Sequence, residues 1–369
     1  QNISLEIKTN MYINDGRGVF TLDTLNTILG SSYGKFVKAD LDNDGDMDFV
    51  LSRVKGGGFN FRTFLYRNNG TGRFSIDTTS LLPSVSNGNI TVADLNNDNK
   101  LDLMFTGSVA NAPKTQVYYN LGNSSFIKDS LNSFENIDFG CVIPVDINVD
   151  SFEDLLIIGR DKSKLSVSDL YVNDNFGKFN KVEVNNFEPL RNGVLINADI
   201  DGDQDEDLFM TGKDRNGIPR SLLYKNDGSG NFQLSLDSII GVYDGESVFA
   251  DIDLDLDYDL IVTGFDAKKD AQSIIYLNDG QGVFNRDTTN VLEGVCFSSI
   301  AVADLNNDGE QDIIIAGSGS TRFSTRIYFG NNGVFEVDSN NTIKDLNNGS
   351  VSVGDIDNDN DQDIFISGE

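Results

Sequence analysis

DLDNDGDMD (residues 40–48) places five Asp side chains within nine residues. Carboxylates packed this closely repel one another unless a positive charge sits among them. The word nevertheless recurs seven times, beginning at Asp40, Asp94, Asp146, Asp199, Asp251, Asp304 and Asp355, at intervals of 51–54 residues. Each copy closes on Asp eight residues later: Asp48, Asp102, Asp154, Asp207, Asp259, Asp312 and Asp363. A second word keeps step with the first. YINDGRGVF (12–20), YRNNGTGRF (66–74), YKNDGSGNF (224–232) and YLNDGQGVF (276–284) are clear copies, and YYNLGNSSF (118–126), YVNDNFGKF (171–179) and YFGNNGVF (328–335) have drifted. A period near 52 residues is one repeat array and not a string of unrelated domains.

The segments around the acidic word decide what each unit is. ITVAD (90–94) and SVFAD (247–251) precede it; LDLMFTG (101–107) and YDLIVTG (258–264) follow it. Such short Val-, Ile- and Phe-rich runs bounded by Gly and Asp read as strands. The Tyr segment, as in SLLYKN (221–226), reads as a third strand and the segment closing on Phe, as in NFQLSL (231–236), as a fourth, with an N-D-G-x-G hairpin turn between them. Four antiparallel strands per unit in seven units predict an all-β, seven-bladed β-propeller spanning residues 1–369 as one domain. The register predicts how the ring closes. Strands from about 3–22 complete the blade begun at 351–368, which removes exposed strand edges. The seven Tyr recur in every unit, so they are expected to pack blade against blade. Cys141 and Cys296 fall in roughly opposite units and are not expected to pair.

Composition narrows the function. Asp and Glu number 58 against 28 Lys and Arg, a formal charge of −30. Nucleic acids and anionic membranes are therefore not expected as partners. His is absent, which removes His-based triads and His-ligated zinc. No apolar run approaches a membrane-spanning length. The chain opens at Gln1 without a basic or apolar leader, as expected where a leader has been removed.

Within the acidic word, positions 1, 5 and 9 are Asp in all copies. Position 3 is Asp42, Asn96, Asn148, Asp201, Asp253, Asn306 or Asp357. Alternating oxygen ligands in one tight loop suit a hard cation, and Ca²⁺, with six to eight oxygens, better than Mg²⁺. The opening resembles an EF-hand loop, but position 12 is apolar throughout (Leu51, Phe105, Ile157, Met210, Val262, Ile315, Ile366), so position 9 is expected to supply the last carboxylate. Seven such ions would bring the formal charge from −30 to −16.

D-x-D-x-D-G-x-x-D between strands, followed by Y-x-N-x-G-x-G-x-F, resembles the FG-GAP/VCBS repeat family, which includes the integrin α-subunit propeller and secreted bacterial surface proteins. The resemblance covers nearly the whole chain. It implies structural Ca²⁺, up to seven ions, held by side chains at positions 1, 3, 5 and 9 and the backbone carbonyl at position 7. Those are Asp40, Asp42, Asp44, Asp46 and Asp48 in the first word, and Asp94, Asn96, Asp98, Lys100 and Asp102 in the second. The third has Asp146, Asn148, Asp150, Phe152 and Asp154, and the fourth Asp199, Asp201, Asp203, Asp205 and Asp207. Asp251, Asp253, Asp255, Asp257 and Asp259 form the fifth, Asp304, Asn306, Asp308, Glu310 and Asp312 the sixth, and Asp355, Asp357, Asp359, Asp361 and Asp363 the seventh. Position 6 keeps the family's Gly at Gly45 and Gly309 and departs from it at Asn99, Ser151, Gln204, Leu256 and Asn360, which puts the geometry of the Ser151, Gln204 and Leu256 sites in question.

The expected function is a secreted or cell-surface recognition or adhesion module for a glycan or an extracellular protein, and not an enzyme. A polysaccharide lyase or glycosidase, or a purely architectural domain, is the alternative. The acidic words lie on the face of the 1–2 loops. Basic residues gather in the 2–3 segments of the other face, most densely in RVKGGGFNFR (53–62), so Arg53, Lys55 and Arg62 are the candidate ligand contacts.

Overall fold

Each acidic word joins two strands, and the pattern of one blade serves for all. In blade four, counted by acidic words, the strands run Leu195–Ala198, Asp207–Lys213, Pro219–Lys225 and Gln233–Leu234, paired antiparallel in that order. The second strand follows Asp207 with three apolar residues in a row, Leu208, Phe209 and Met210, all fully buried, and Thr211 is buried after them. Alternation is lost because both faces are covered. Leu208 and Met210 pack with Cys141, Leu156 and Leu170 of blade three, whereas Phe209 packs with Leu260, Val262 and Tyr276 of blade five. The hydrophobic core therefore lies between blades, as seven clusters around the ring.

Seven such four-stranded sheets make up the protein, a seven-bladed all-β propeller, and no helix occurs among the described residues. The structure, a computed structural model, describes residues 7–31, 34–55, 60–122, 125–183, 186–319, 322–340, 342–346 and 348–368, with backbone only at 53–55, 60 and 61. The first strands contact one another in succession around the axis, the strand Ser350–Gly354 meeting Phe36–Ala39 to close the circle. The closing blade is as expected: Ser350–Gly354 and Asp363–Gly368 are completed by Lys8–Ile13 and Thr21–Leu22, with Tyr12 opposite Ile364. Residues 3–6 of the expected closing segment lie outside the described residues. Fourth strands are shorter than the sequence implies; in NFQLSL only Gln233 and Leu234 pair, and Leu236 is 97% exposed.

The recurrent Tyr and Asn clamp neighbouring blades. Six Tyr hydroxyls, on Tyr12, Tyr66, Tyr171, Tyr224, Tyr276 and Tyr328, accept a backbone N–H from the loop entering their blade, at 2.8–3.4 Å. Burial of the rings gives the packing role expected of them. The Asn two residues on, in Y-x-N, reaches further. Its Nδ2 donates to the carbonyl at position 2 of the preceding blade's acidic word: Asn14 to Leu305, Asn68 to Ile356, Asn120 to Leu41, Asn173 to Leu95, Asn226 to Ile147 and Asn278 to Ile200. Only blade six departs, with Gly330 at this position. A Cβ there would meet the Gln311 carbonyl at 2.3 Å, so the backbone itself takes the space.

Candidate metal loops and an axial pocket

The acidic loop is built from its own backbone. The Asp at position 1 accepts the N–H of position 6 in all seven copies: Gly45 to Asp40, Asn99 to Asp94, Ser151 to Asp146, Gln204 to Asp199, Leu256 to Asp251, Gly309 to Asp304 and Asn360 to Asp355, at 2.7–3.2 Å. The Asp at position 5 accepts the N–H of position 7: Asp46 to Asp44, Lys100 to Asp98, Phe152 to Asp150, Asp205 to Asp203, Asp257 to Asp255, Glu310 to Asp308 and Asp361 to Asp359. To deliver these N–H groups the chain turns left-handed at position 6, with φ of 60–93° throughout. Ser151, Gln204 and Leu256 adopt it as Gly45 does, so the backbone of the loop is the same at those positions. Their side chains accept strain of about 1–2 kcal/mol each where Gly has none.

Position 9 is deeply buried and hydrogen-bonded to the backbone in every copy. Asp207 Oδ1 accepts the N–H of Asn226 at 2.7 Å and Oδ2 that of Ile200 at 3.2 Å, so this carboxylate ties the second strand to both loops. Asp48, Asp102, Asp259, Asp312 and Asp363 repeat the arrangement, with Gly330 as donor to Asp312 in blade six. In the third blade Asp154 Oδ1 accepts from Asn173, while its Oδ2 is buried without a partner. Anything position 9 gives a cation comes from lone pairs these bonds leave over. Burial, against these N–H contacts, pushes the carboxyls up to about 6 at Asp48 and Asp312 and about 7 at Asp102, Asp154, Asp207, Asp259 and Asp363.

Fit to a cation rests on the remaining oxygens. Carboxylate oxygens of Asp40, Asp42 and Asp44 lie within 4.8 Å of one another, as do those of Asp199, Asp201 and Asp203, of Asp251, Asp253 and Asp255, and of Asp355, Asp357 and Asp359. In these four loops Asp42, Asp201, Asp205, Asp251, Asp257 and Asp357 each bury an Oδ1 with no hydrogen-bond partner. An unpaired buried carboxylate oxygen is costly, and a hard cation among them is the chemistry that relieves it. In the other three loops position 3 is Asn, and Asn96, Asn148 and Asn306 turn Oδ1 onto the N–H of position 5. Among the described residues three loops hold a cationic side chain already, one of them Lys100, which lies 2.9 Å from Asp98 of its own word. Arg67 lies 2.6 Å from Asp42 and 3.0 Å from Asp77, and Lys225 lies 3.3 Å from Asp201.

The opposite face carries a second feature. An axial cavity of about 460 Å³ opens among the starts of the first strands. Around its mouth Asn87, Phe139, Asn192, Asp244, Phe297 and Asn348 all have φ of 45–56°. Their backbones form successive steps of a ring: Phe139 N–H donates to Asn87 O at 2.6 Å, Asn192 to Phe139 at 2.7 Å, Asp244 to Asn192 at 2.8 Å and Phe297 to Asp244 at 2.5 Å. Gly follows in most copies because the second strand presses in; a Cβ on Gly193 would meet the Thr211 carbonyl at 1.8 Å. Lys35 and Glu246, from blades one and five, approach to 3.6 Å across the cavity. Burial pushes the Asp244 carboxyl up, against the Asn192 amide that donates to it at 2.8 Å. The buried thiol of Cys141 lines the wall, and it and Cys296 are free. A signal was present in the sequence: the Gly or Ser at 34, 88, 140, 193, 245, 298 and 349 stands six residues before each acidic word.

Of the candidate ligand contacts, Arg62 is exposed on the third strand of blade one, in register with Arg53 on the second. The side chains of Arg53 and Lys55 lie outside the described residues.

Seven blades, each bearing an acidic loop between its first two strands, define a repeat propeller. The family model for the FG-GAP-like repeat matches residues 40–105 and 304–366, so the chain is a seven-bladed propeller that carries FG-GAP-like repeats. No curated protein matches the sequence. Among solved structures, the Aleuria aurantia lectin, as a mutant in complex with alpha-methyl-L-fucoside, is 10% identical over 84% of this chain and 95% of its own, with a TM-score of 0.45. A thermostable family-43 glycoside hydrolase is 11% identical over 68% of this chain and 92% of its own, with a TM-score of 0.36. The beta-fructofuranosidase of Schwanniomyces occidentalis is 10% identical over 99% and 93%, with a TM-score of 0.30. Glycoside-cleaving enzymes among these matches overturn the expectation that the chain is not an enzyme. The absence of His removes one base only, and glycoside cleavage runs on paired carboxylates, of which a chain with 58 acidic residues singles out none by sequence. A fold does not by itself decide between binding and cleavage.

Proposed function

We propose that the protein is a calcium-stabilised recognition propeller, secreted or displayed at the cell surface, that meets a glycan or an extracellular protein on the face opposite its acidic loops. The observation that carries this reading is the set of buried, unpartnered carboxylate oxygens at Asp42, Asp201, Asp251 and Asp357, one in each of the four loops whose carboxylates at positions 1, 3 and 5 converge. Oxygens at positions 1, 3 and 5, with the carbonyl at position 7, would hold Ca²⁺, and the ion would offset the carboxylate charge crowded into the loops. The medium outside cells keeps weak sites of this kind filled. On this reading the metal face is structural, and the axial mouth and the 2–3 loops, including the hairpin of Arg53, Lys55 and Arg62, are left for the ligand.

The test is a thermal melt of metal-stripped protein with Ca²⁺, with Mg²⁺ and with neither, followed by a screen of the calcium-loaded protein for binding and cleavage of glycans. A ligand that binds only the folded state raises its stability by mass action, so the melting temperature should fall by many degrees on stripping and return with Ca²⁺ more than with Mg²⁺. A melting curve indifferent to calcium refutes the calcium half of the reading.

A further inference from the structure

The ring of left-handed residues at the axial mouth is required by the backbone, and Gly would satisfy it without strain. Asn and Asp tolerate this conformation; Phe does not, and each Phe there costs about 1–2 kcal/mol. The chain nonetheless places Phe139 at φ 50° and Phe297 at φ 45°. Both lie at β-bulges, between Asp138 and Cys141 and between Cys296 and Ser299, where a strand is re-aimed. Core packing does not account for the second ring, because Phe297 is 44% exposed. One side of each is fixed from behind. The Arg160 guanidinium, held by Asp138 at 2.8 Å, lies 4.4 Å from the Phe139 ring, and Phe265 meets Phe297 edge-on at 5.6 Å.

Between these rings the mouth is polar. Asn192 and Asp244 are hydrogen-bonded to each other, Asn87 is exposed, and Glu246 stands below with Lys35. Aromatic faces beside amides and carboxylates suit a polyhydroxylated ring. Its C–H face packs on the aromatic ring, and its hydroxyls donate to carboxylate or amide oxygens and accept from amide nitrogen. Asp244 and Glu246 disfavour an anion. A cavity of about 460 Å³ falls within the usual size of small-molecule sites. We propose that the axial pocket binds a neutral sugar ring, the end residue of a glycan, with Phe139 and Phe297 as its stacking surfaces and Asn192 and Asp244 as its hydroxyl partners. The proposal rests on the recognition reading and names the ligand class for that face.

The experiment uses the calcium-loaded chain and methyl glycosides of neutral hexoses, 6-deoxyhexoses and N-acetylhexosamines, with glucuronic and sialic acid glycosides alongside. Binding is read by saturation-transfer NMR and calorimetry. At least one neutral glycoside should bind, and Phe139→Gly with Phe297→Gly, which keeps the left-handed backbone, should weaken it at least tenfold. If that variant misfolds, Phe297→Leu alone should still weaken binding several-fold. Equal binding by a folded variant overturns the axial site while leaving recognition elsewhere on the face intact. Binding of acidic glycosides only, or of none of the panel, overturns the neutral-sugar assignment; the calcium reading then stands or falls on its own melting curve.

Discussion

Replacing Asn278 tests whether neighbouring acidic loops are mechanically joined. Its Nδ2 donates to Ile200 O of the blade-four word at 2.8 Å and to Tyr258 O of its own word at 3.2 Å, and its Oδ1 accepts the Asp279 N–H at 2.9 Å. The side chain is 8% exposed, so water replaces little of this. At about 1 kcal/mol for each bond, Asn278→Ala should cost about 3 kcal/mol, a large fraction of the ~5–15 kcal/mol that holds most proteins folded. Asn278→Asp is the sharper probe. It keeps the shape but turns a carboxylate oxygen toward two carbonyl oxygens, so it should cost more than Ala. Urea unfolding with calcium in excess measures both, and an unchanged m-value shows that the same surface is exposed in each. A cost below about 1 kcal/mol for Ala, or an Asp variant as stable as the Ala variant, refutes the clamp. Calcium titration adds a second reading: affinity should drop in blades four and five together, because Ile200 and Tyr258 belong to their two loops.

Two further outcomes follow from the electrostatics of the loops. Burial raises the position-9 carboxyls from 3.8 to about 6 or 7 in the folded chain, for instance at Asp102 and Asp259, so protonation favours folding there. In metal-stripped protein the urea midpoint should therefore be highest near pH 4 and fall as the pH rises through 7, and saturating Ca²⁺ should abolish that fall; a metal-free midpoint that climbs over this window contradicts it. Arg67, 2.6 Å from Asp42, occupies charge space beside the first loop. Arg67→Met should tighten calcium binding there several-fold and lower the stability of the stripped protein, both read in one calcium titration followed by melting; weaker calcium binding in the variant would show that Arg67 supports the site.

How much of this was legible in the sequence depends on whether a residue's role is local. The acidic word and the Y-x-N-x-G-x-G word repeat at fixed offsets, and offsets translate directly into blade, strand and face. The ring closure through Tyr12 and Ile364 was readable for the same reason. Position 9 was readable as invariant but not as a structural tie, because its partners, the N–H groups of Asn226 and Ile200 for Asp207, come from opposite sides in the chain. The left-handed turns at Leu256 and Ser151 ran against propensity. A Leu or Ser is a poor choice there, yet Asp251 and Asp146 need the N–H that only this turn delivers, and the tie overrules local preference. The axial mouth was hidden differently. Phe139 and Phe297 look like strand residues in sequence, and nothing local says that a bulge turns them to the axis. Only the repeated small residue just after them, six places ahead of each acidic word, marks the spot. Repetition sets that small residue's position, while the residue before it varies from Asn to Phe to Asp. A position whose backbone is held constant and whose side chain is free to vary is where a repeat protein can acquire a ligand without disturbing its fold.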